Sequence, residues 1–378
     1  MLKVSRVSKS IVFTGLVIGT GLIGGCAGTT IGGPFAAEFV YVATGGTIAQ
    51  YAVNTSGQLS PLTPAEVVTN VTTVPLVTTH PVWVTASKDA KYSYAANKNE
   101  GTISQYSIST SGALVSLTPA FVTTGTAPVA VEVTPDSKHV YCLNKTDNTV
   151  TQFAVSLTGT LSALAPASVS VPADSNSLVI SPNGSYLYVA SYSTGKISAF
   201  SIGASGQLTP LTVPDYPAPL ANGQMSFSPD GKYLYVPLSG TGVAQFAVGL
   251  DGALTPLSPA TVSGSIAGPT GAADAFAVSA DGKFGYLGLF NGGTPGSPVD
   301  QFSIAANGTL SSLSPVSVPA GNAPNWIITE PAGHYVFVAN ENDHTIYEFS
   351  VGVGGTLSLE SPSFVTPSGA LQMAVITR

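Results

Sequence analysis

Hydrophobic and polar positions repeat along this chain, and three markers recur in a fixed order at intervals of 47 to 53 residues between aromatic anchors. The first marker is an aromatic anchor inside a short apolar run, at Tyr41, Tyr94, Tyr141, Tyr188, Tyr235, Tyr286 and Phe337. The second is an aromatic ring in the following apolar run, at Tyr51, Tyr106, Phe153, Phe200, Phe246, Phe302 and Phe349. The third is a Gly-x-Leu turn ending at Leu59, Leu114, Leu161, Leu208, Leu254, Leu310 and Leu357. Seven copies of one structural unit follow from this pattern.

Each unit predicts four strands, A to D in chain order. Strand A is the apolar run before Ser-Pro-Asp-Gly, strand B carries Tyr-Val-Ala, strand C carries Ile-Ser-x-Phe, and strand D carries Leu-Thr-Pro-Leu. The Asp-Gly and Ser-Gly pairs between them are typical of hairpin turns. Strands A to C are almost continuously apolar, as in sheets buried on both faces, whereas the prolines of strand D place it at an outer edge. We therefore predict an all-β, seven-bladed β-propeller of four-stranded antiparallel blades over residues 38–378.

The two ends of the repeat region predict how the ring closes. The segment Phe39–Ala43 already has the pattern of a strand B, and Leu371–Thr377 has the pattern of a strand A. We expect the C-terminal strand to pair in blade 1 as its innermost strand, which removes free sheet edges. A solenoid would instead need capping repeats.

The N-terminal segment predicts export. Lys3, Arg6 and Lys9 precede an apolar stretch over residues 11–25, which is shorter than the ~20 residues of a membrane-spanning helix. Residues 1–25 therefore read as a signal peptide. The sequence Leu-Ile-Gly-Gly before Cys26 resembles a bacterial lipobox, which implies acylation of Cys26, a flexible tether over 26–37, and a lipid-anchored place in the cell envelope. The alternatives are an uncleaved anchor or an ordinary signal peptide with an incidental cysteine.

Charge and cysteine content exclude several classes of function. Only 8% of residues are charged, the net charge is −7, and loss of the three N-terminal cations leaves 9 basic against 19 acidic residues. Because the remaining cations form no cluster, we predict no nucleic-acid partner. Cys142 lies in an apolar strand and is expected to be a small buried side chain rather than a catalytic thiol. We expect a monomer.

Metal and cofactor sites are not predicted. The polar segments 144–147 and 340–343 offer oxygen ligands, but they lack the spacing of a dedicated calcium loop. No glycine-rich phosphate loop lies between a strand and a helix. We therefore expect the protein to bind no metal ion and no nucleotide or other cofactor.

The repeat as a whole resembles the bacterial lactonase-type propeller family, which includes a form of 6-phosphogluconolactonase. The similarity is carried by Ser-Pro-Asp-Gly-Lys-Tyr-Leu-Tyr-Val at 228–236 and the Gly-x-Leu-Thr-Pro-Leu turn, and it extends over 39–378. It implies that ligand-facing residues lie where strand A follows its preceding loop. Together with the polar residues of nearby loops, the expected ligand face comprises Asn97, Asn144, Asn176, Gln224, Asn325 and Asn340.

The resemblance also implies a lactone hydrolase, which needs a general base and an oxyanion stabiliser. The candidate catalytic residues are His80 as the base, with Asp174 or Asp274 as its partner; roles in capping or in solvated loops are the alternative. The only arginines are Arg6 and Arg378, and arginine is the favoured partner of phosphate. A phosphorylated lactone is therefore disfavoured as the substrate.

Three functions remain open from the sequence. The first is a scaffold that binds a protein or glycan through the amide-rich loop face, and we favour it over the others. The second is a lactone hydrolase, which is supported by analogy with the family it resembles. The third is a propeller that only spaces other envelope components.

We predict that Cys26→Ser releases the protein from membranes and abolishes fatty-acid labelling, because the acylated sulfur is removed. Membrane fractionation and labelling with a radioactive fatty acid measure this. Continued labelling of the variant would contradict the lipobox interpretation.

Overall fold

The computed structural model describes residues 37–54, 56–69, 80–240, 242–266, 271–291, 296–360, 364–366, 369 and 371–378. The signal peptide, Cys26 and the tether up to residue 36 lie outside the described residues, so these assignments stay predictions. Among the residues that are described, none forms a helix long and apolar enough to cross a membrane.

The strands fall into four positions, named A to D from the centre of the ring outward. The A strands are β29 (Gln372–Thr377), β4 (Pro81–Ala86), β8 (Pro128–Val133), β12 (Ser175–Ile180), β16 (Ser226–Phe227), β20 (Gly271–Val278) and β24 (Pro324–Thr329). The B strands are β1 (Glu38–Ala43), β5 (Tyr92–Asn97), β9 (His139–Asn144), β13 (Tyr186–Ser191), β17 (Tyr233–Leu238), β21 (Phe284–Asn291) and β25 (Tyr335–Asn340). The C strands are β2 (Thr47–Val53), β6 (Thr102–Ile108), β10 (Thr149–Val155), β14 (Lys196–Ile202), β18 (Gly242–Val248), β22 (Pro298–Ile304) and β26 (Thr345–Val351). The D strands are β3 (Leu59–Val68), β7 (Leu114–Thr123), β11 (Leu161–Ser170), β15 (Leu208–Pro217), β19 (Leu254–Val262), β23 (Leu310–Pro319) and β27 (Leu357–Leu359), with β28 (Phe364–Val365).

These strands form seven antiparallel sheets, each ordered A-B-C-D, and the sheets are the blades of a propeller. The predicted fold and its closure are confirmed. Strand β29 pairs with β1 from Glu38 opposite Thr377 to Ala43 opposite Gln372, so the two ends of the repeat region complete blade 1. The predicted exposure of strand D is also observed, since in β3 and β11 seven of the nine residues after a buried leucine are exposed and the other two are half-buried.

The tyrosine anchors of strand B join each blade to the next one. All seven anchors have no solvent exposure, and the hydroxyl of Tyr188 donates to the carbonyl of Gly252 in the following blade at 2.7 Å. The same bond recurs from Tyr41, Tyr94, Tyr141, Tyr235 and Tyr286 to Gly112, Gly159, Gly206, Gly308 and Gly355. In blade 7 the anchor is Phe337, which has no hydroxyl to donate.

A glutamine in strand C makes a second joint between blades. Gln245 donates to the carbonyl of Pro259 in its own blade at 2.8 Å and accepts from the backbone N–H of Leu310 in the next blade at 2.8 Å. Gln50, Gln105, Gln152 and Gln301 repeat this arrangement. Ala199 replaces the glutamine in blade 4, and in blade 7 Glu348 accepts from the N–H of Leu59 at 2.9 Å.

Blade 5 departs from the regular repeat, because its strand A is only two residues long. The preceding segment pairs with the neighbouring blade instead. The N–H of Gln224 donates to the carbonyl of Asp274 at 2.9 Å, and Phe276 donates back to the carbonyl of Gln224 at 3.1 Å. Gly223 has φ of +66°, and a Cβ there would lie 1.7 Å from the Asp274 oxygen, so only glycine allows this approach.

We predict that Tyr235→Phe lowers the free energy of unfolding by roughly 1–2 kcal/mol, since it leaves a buried carbonyl without its donor. Denaturant titration at equilibrium measures the change. The matched control is Tyr233→Phe, because the Tyr233 hydroxyl also bonds a backbone carbonyl of the same turn, at Ala306, but in an exposed position. An equal loss in the two variants would contradict the role of the buried joint.

Candidate functional site

Bulges at the start of strand A shape one end of the central channel. Loops from each strand D enter the next strand A there, and we call this end the mouth. A bulge follows the first residue of four A strands, β4, β8, β12 and β24, and Asp274 lies at the bulge in β20. Bulges re-aim a side chain and interrupt strand pairing. The residues at these bulges are Val82, Val129, Asn176, Asp274 and Asn325.

A directed chain of hydrogen bonds crosses the mouth through three blades. The side-chain amide of Asn176 donates to Asn222 Oδ1 at 2.6 Å, and Asn222 Nδ2 donates to Asp274 Oδ1 at 2.7 Å. Since a carboxylate can only accept, Asp274 fixes the orientation of the Asn222 amide, which in turn fixes that of Asn176. The carbonyl oxygen of Asn176 is then left buried without a donor.

Asp274 is the carboxyl group with the most altered acidity at the mouth. Burial raises its pKa to about 6, the hydrogen bond from Asn222 opposes this rise, and the negative charge of Glu341 adds to it. A carboxyl group in this state is mostly ionised near neutral pH but can still exchange a proton there, which is the property of a general base.

Asp174 is engaged in an ion pair. Its Oδ1 lies 2.7 Å from Lys145 Nζ, and both side chains remain partly exposed. The pair borders a cleft of about 290 Å³ that the amide chain also lines. The residues lining this cleft are Lys145, Asp174, Asn176, Tyr192, Asn222 and Ser239. The structure therefore brings Asp174 close to Asn176 and Asn222, and through Asn222 to Asp274.

Asn325 and Gln224 occupy two further positions near the channel. Asn325 Nδ2 lies 3.2 Å from both Glu341 Oε2 and the Leu371 carbonyl, and its own carbonyl oxygen is buried without a donor. Gln224 reaches from blade 5 to blade 7, where its side chain bonds both the carbonyl and the N–H of Ile327, at 2.9 and 3.1 Å. Gln224 therefore braces the channel, whereas the Asn325 oxygen is left buried without a donor.

Asn97, Asn144 and Asn340 end their B strands and have no solvent exposure. Asn144 shows their arrangement: its oxygen accepts from the Gly125 N–H at 3.0 Å, and its nitrogen donates to the Thr151 hydroxyl at 2.7 Å. Asn97 and Asn340 likewise donate to hydroxyl groups of their own strand C. Asn144 and Asn340 thus fasten loops to strands, whereas the Asn97 oxygen is buried without a donor. None of the three amides is exposed to a ligand.

His80 lies in blade 2, where its Nδ1 is 2.7 Å from Asn99 Nδ2 and its backbone carbonyl accepts from Lys98 at 2.9 Å. The hypothesis that His80 is a base with Asp174 or Asp274 as its partner stays a prediction. Asp174 is paired with Lys145, and Asp274 is bonded by Asn222.

Sequence reasoning missed Glu132, which lies in the central channel away from the mouth. It borders a cavity of about 200 Å³ together with Lys88, Thr85 and Trp326. Burial raises its pKa to about 7, although Lys88 and the hydrogen bond from the Thr85 hydroxyl at 3.3 Å favour its charged form. A glutamate inside the apolar run Pro-Val-Ala-Val-Glu-Val was the available signal, because a charge in an inner strand has to face the channel.

Within the described part of the chain, no group of three or more His, Cys, Asp or Glu side chains could hold a metal ion. The cleft at the mouth is lined by amides, hydroxyl groups, the Asp174 carboxylate and Lys145, which is paired with Asp174.

We predict that Asp274→Asn stabilises the protein more at about pH 7.5 than at about pH 4. The folded state holds the Asp274 proton more tightly than the unfolded chain, so the carboxyl group favours folding at low pH and loses this contribution as the pH rises through about 6. Unfolding free energies of the two proteins across this range measure the difference. Asp174→Asn is the control, and a wild-type to Asp274→Asn difference that does not change with pH would contradict the prediction.

Solved structures share this architecture. The chain superimposes on a candidate 6-phosphogluconolactonase from Bacteroides fragilis with a TM-score of 0.76 and 20% identity, covering 92% of this chain and 99% of the other. A periplasmic gluconolactonase from Pseudomonas aeruginosa gives a TM-score of 0.71 and 21% identity, with 90% and 99% covered. At identities of 20% and 21%, the similarity shows a shared fold and not a shared activity. No curated protein sequence matches the chain.

The family model described as lactonase, seven-bladed β-propeller, matches residues 115–224 and 223–371, which is well over half of the 378 residues. The repeat pattern, the seven closed blades and this match lead to one conclusion: the chain belongs to the lactonase family of seven-bladed β-propellers.

Proposed function

We propose that the protein is a cell-envelope lipoprotein whose mouth binds an uncharged, hydroxyl-rich ligand such as a glycan or a sugar. The observation that carries this proposal is the chain Asn176–Asn222–Asp274, which holds the amides of Asn176 and Asn222 in one orientation at the wall of the cleft. Buried acceptors without donors are costly. The Asn176 oxygen is such an acceptor beside the cleft. A ligand with several hydroxyl groups would offer hydrogen-bond partners to the fixed amides that line this cleft.

The charges at the mouth support an uncharged ligand over a phosphorylated one. Lys145 is the lysine that lines the cleft, and its ammonium group is already paired with Asp174. Asp274 and Glu341 contribute negative charge nearby. A phosphate group would meet these carboxylates without an arginine to bind it, since Arg378 ends strand β29 at the opposite end of the blades.

The envelope location rests on the N-terminal segment. The positive residues, the apolar stretch and the lipobox-like sequence before Cys26 support a lipid anchor as the contact with the membrane. We further propose that the protein is a monomer, with a protein or a glycan as its partner at the mouth and no nucleic-acid partner.

A second candidate function is the hydrolysis of an uncharged lactone. Family membership and the pKa of Asp274 favour it. In this reaction the Asp274 carboxylate would take a proton from a water molecule as the water oxygen bonds the lactone carbonyl carbon. The ring C–O bond then breaks, and the proton returns from Asp274 to the departing alkoxide, which gives a hydroxy acid.

Calorimetric titration with a panel of neutral sugars, neutral sugar lactones and their phosphorylated forms tests both candidates. We expect binding of a neutral ligand, weakened about tenfold by Asn222→Ala through the loss of hydrogen bonds worth about 1.4 kcal/mol, and unchanged by the control Asp230→Asn at the far end of the blades. Hydrolysis that disappears in Asp274→Asn while binding persists would establish the second candidate. Tighter binding of phosphorylated ligands would refute the proposal.

A further inference from the structure

Three turns at the other end of the propeller carry aliphatic side chains that are fully exposed. We call this end the base; it is formed by the turns between strands A and B and between strands C and D. Leu157, Leu250 and Val353 have relative exposures of 101%, 102% and 106%. Single exposed apolar side chains are common on protein surfaces, but these three are fully exposed and lie on the same face.

The three side chains occupy the same position in their turns. Each is the second residue of a C–D turn, in blades 3, 5 and 7, and the turns are therefore distributed around the ring. Two are also held firmly, because the carbonyl of Leu157 accepts from the Tyr92 hydroxyl at 2.9 Å and that of Leu250 from the Tyr186 hydroxyl at 2.7 Å. The base therefore carries three exposed apolar side chains at equivalent turn positions, two of them in turns held by a hydrogen bond.

The described chain begins on this same face. Strand β1 is a B strand, so Glu38 lies at the base end of its blade, and the carbonyl of Ala37 accepts from the Arg378 N–H at 2.8 Å. The chain therefore enters the described propeller at the base end of blade 1, and the predicted acylation site Cys26 precedes this point by 11 residues. If Cys26 is acylated, a short tether keeps the base closer to the membrane than the mouth, which raises the effective concentration of its side chains at the bilayer.

Charge is distributed unequally between the two faces. The mouth end carries nine carboxyl groups, Glu66, Glu100, Asp147, Asp174, Asp215, Asp274, Asp300, Glu341 and Asp343, against the three lysines Lys98, Lys145 and Lys196. The base carries eight carboxyl groups, Glu38, Asp89, Glu132, Asp136, Asp230, Asp251, Asp281 and Glu330, against the six cations Lys88, Lys91, Lys138, Lys232, Lys283 and Arg378. Four of these lysines pair with an aspartate of their own A–B turn at 2.9 to 3.5 Å. An anionic bilayer therefore repels the base less than the mouth.

We propose that the base of the propeller rests on the membrane surface, with Leu157, Leu250 and Val353 inserted at the boundary between lipid headgroups and acyl chains. This inference rests on the lipid anchor of the proposed function. Apolar side chains at this depth add to the hold of an acyl anchor. The mouth then faces away from the bilayer, open to ligands in the aqueous compartment.

The test uses acylated full-length protein in vesicles of phosphatidylcholine and phosphatidylglycerol, with a fluorophore on a single introduced cysteine. Cys142 does not interfere, because it is buried and burial raises its thiol pKa to about 12. Labels at Leu157→Cys, Leu250→Cys and Val353→Cys probe the base, and Thr146→Cys probes an exposed position at the mouth end. We expect brominated lipids to quench the base labels at least about twofold more than the mouth label.

Vesicle flotation separates failure of this inference from failure of the anchor. Protein that does not float with vesicles would refute the anchor, whereas protein that floats but shows equal quenching at base and mouth would refute docking of the base alone. A label at Ala306→Cys, in the matching turn of blade 6, should lose quenching when Leu157, Leu250 and Val353 are all changed to Ser. Changing Val68, Val115 and Val213 on the outer D strands to Ser instead should leave quenching of the Ala306→Cys label unchanged. Loss of quenching in this control would also contradict the proposal.

Discussion

The structure depends on hydrogen bonds that cross from each blade to the next. A blade of four strands cannot bury both of its faces alone, so the ring holds together only where neighbours are joined. The tyrosine hydroxyl of strand B and the glutamine amide of strand C supply these joints at fixed positions, for example through Tyr235 and Gln245. Both joints end on backbone groups, so they tolerate sequence change in the partner blade. The ring can therefore vary its loops without losing its closure.

The mouth uses the freedom that these joints provide. Because the blades are held near their base and middle, bulges at the start of strand A can displace single residues into the channel without opening the sheets. Blade 5 shows the extreme case, in which Gln224 pairs with the next blade and its side chain bonds Ile327 across the channel. The result is a rigid rim in which Asn176, Asn222 and Asp274 hold one another in a single orientation.

The repeat could be predicted from the sequence because each of the seven blades buries the same positions. The aromatic anchors, the exposed strand D and the closing strand were predicted from this pattern. The site was only partly predictable. Asn97, Asn144 and Asn340 have the same residue type as Asn176. They are nevertheless buried, and their side-chain amides donate to hydroxyl groups of strand C. A sequence shows that an amide is near a strand end, but not whether a neighbouring threonine captures it. Asp274 was identified, whereas its partner Asn222 became evident only from the departure of blade 5 from the repeat.

The pairing of the chain ends in blade 1 has a mechanical consequence. Strand β1 lies between β29 and β2, with six residue pairs on each side, and it runs from the base end of the blade to the mouth end. Tension applied through the N-terminal segment acts along the strand axis, whereas the hydrogen bonds lie across it. Such a load shears all the bonds at once and does not unzip them one by one. A propeller pulled by its leading end would thus resist force through its most completely paired strand.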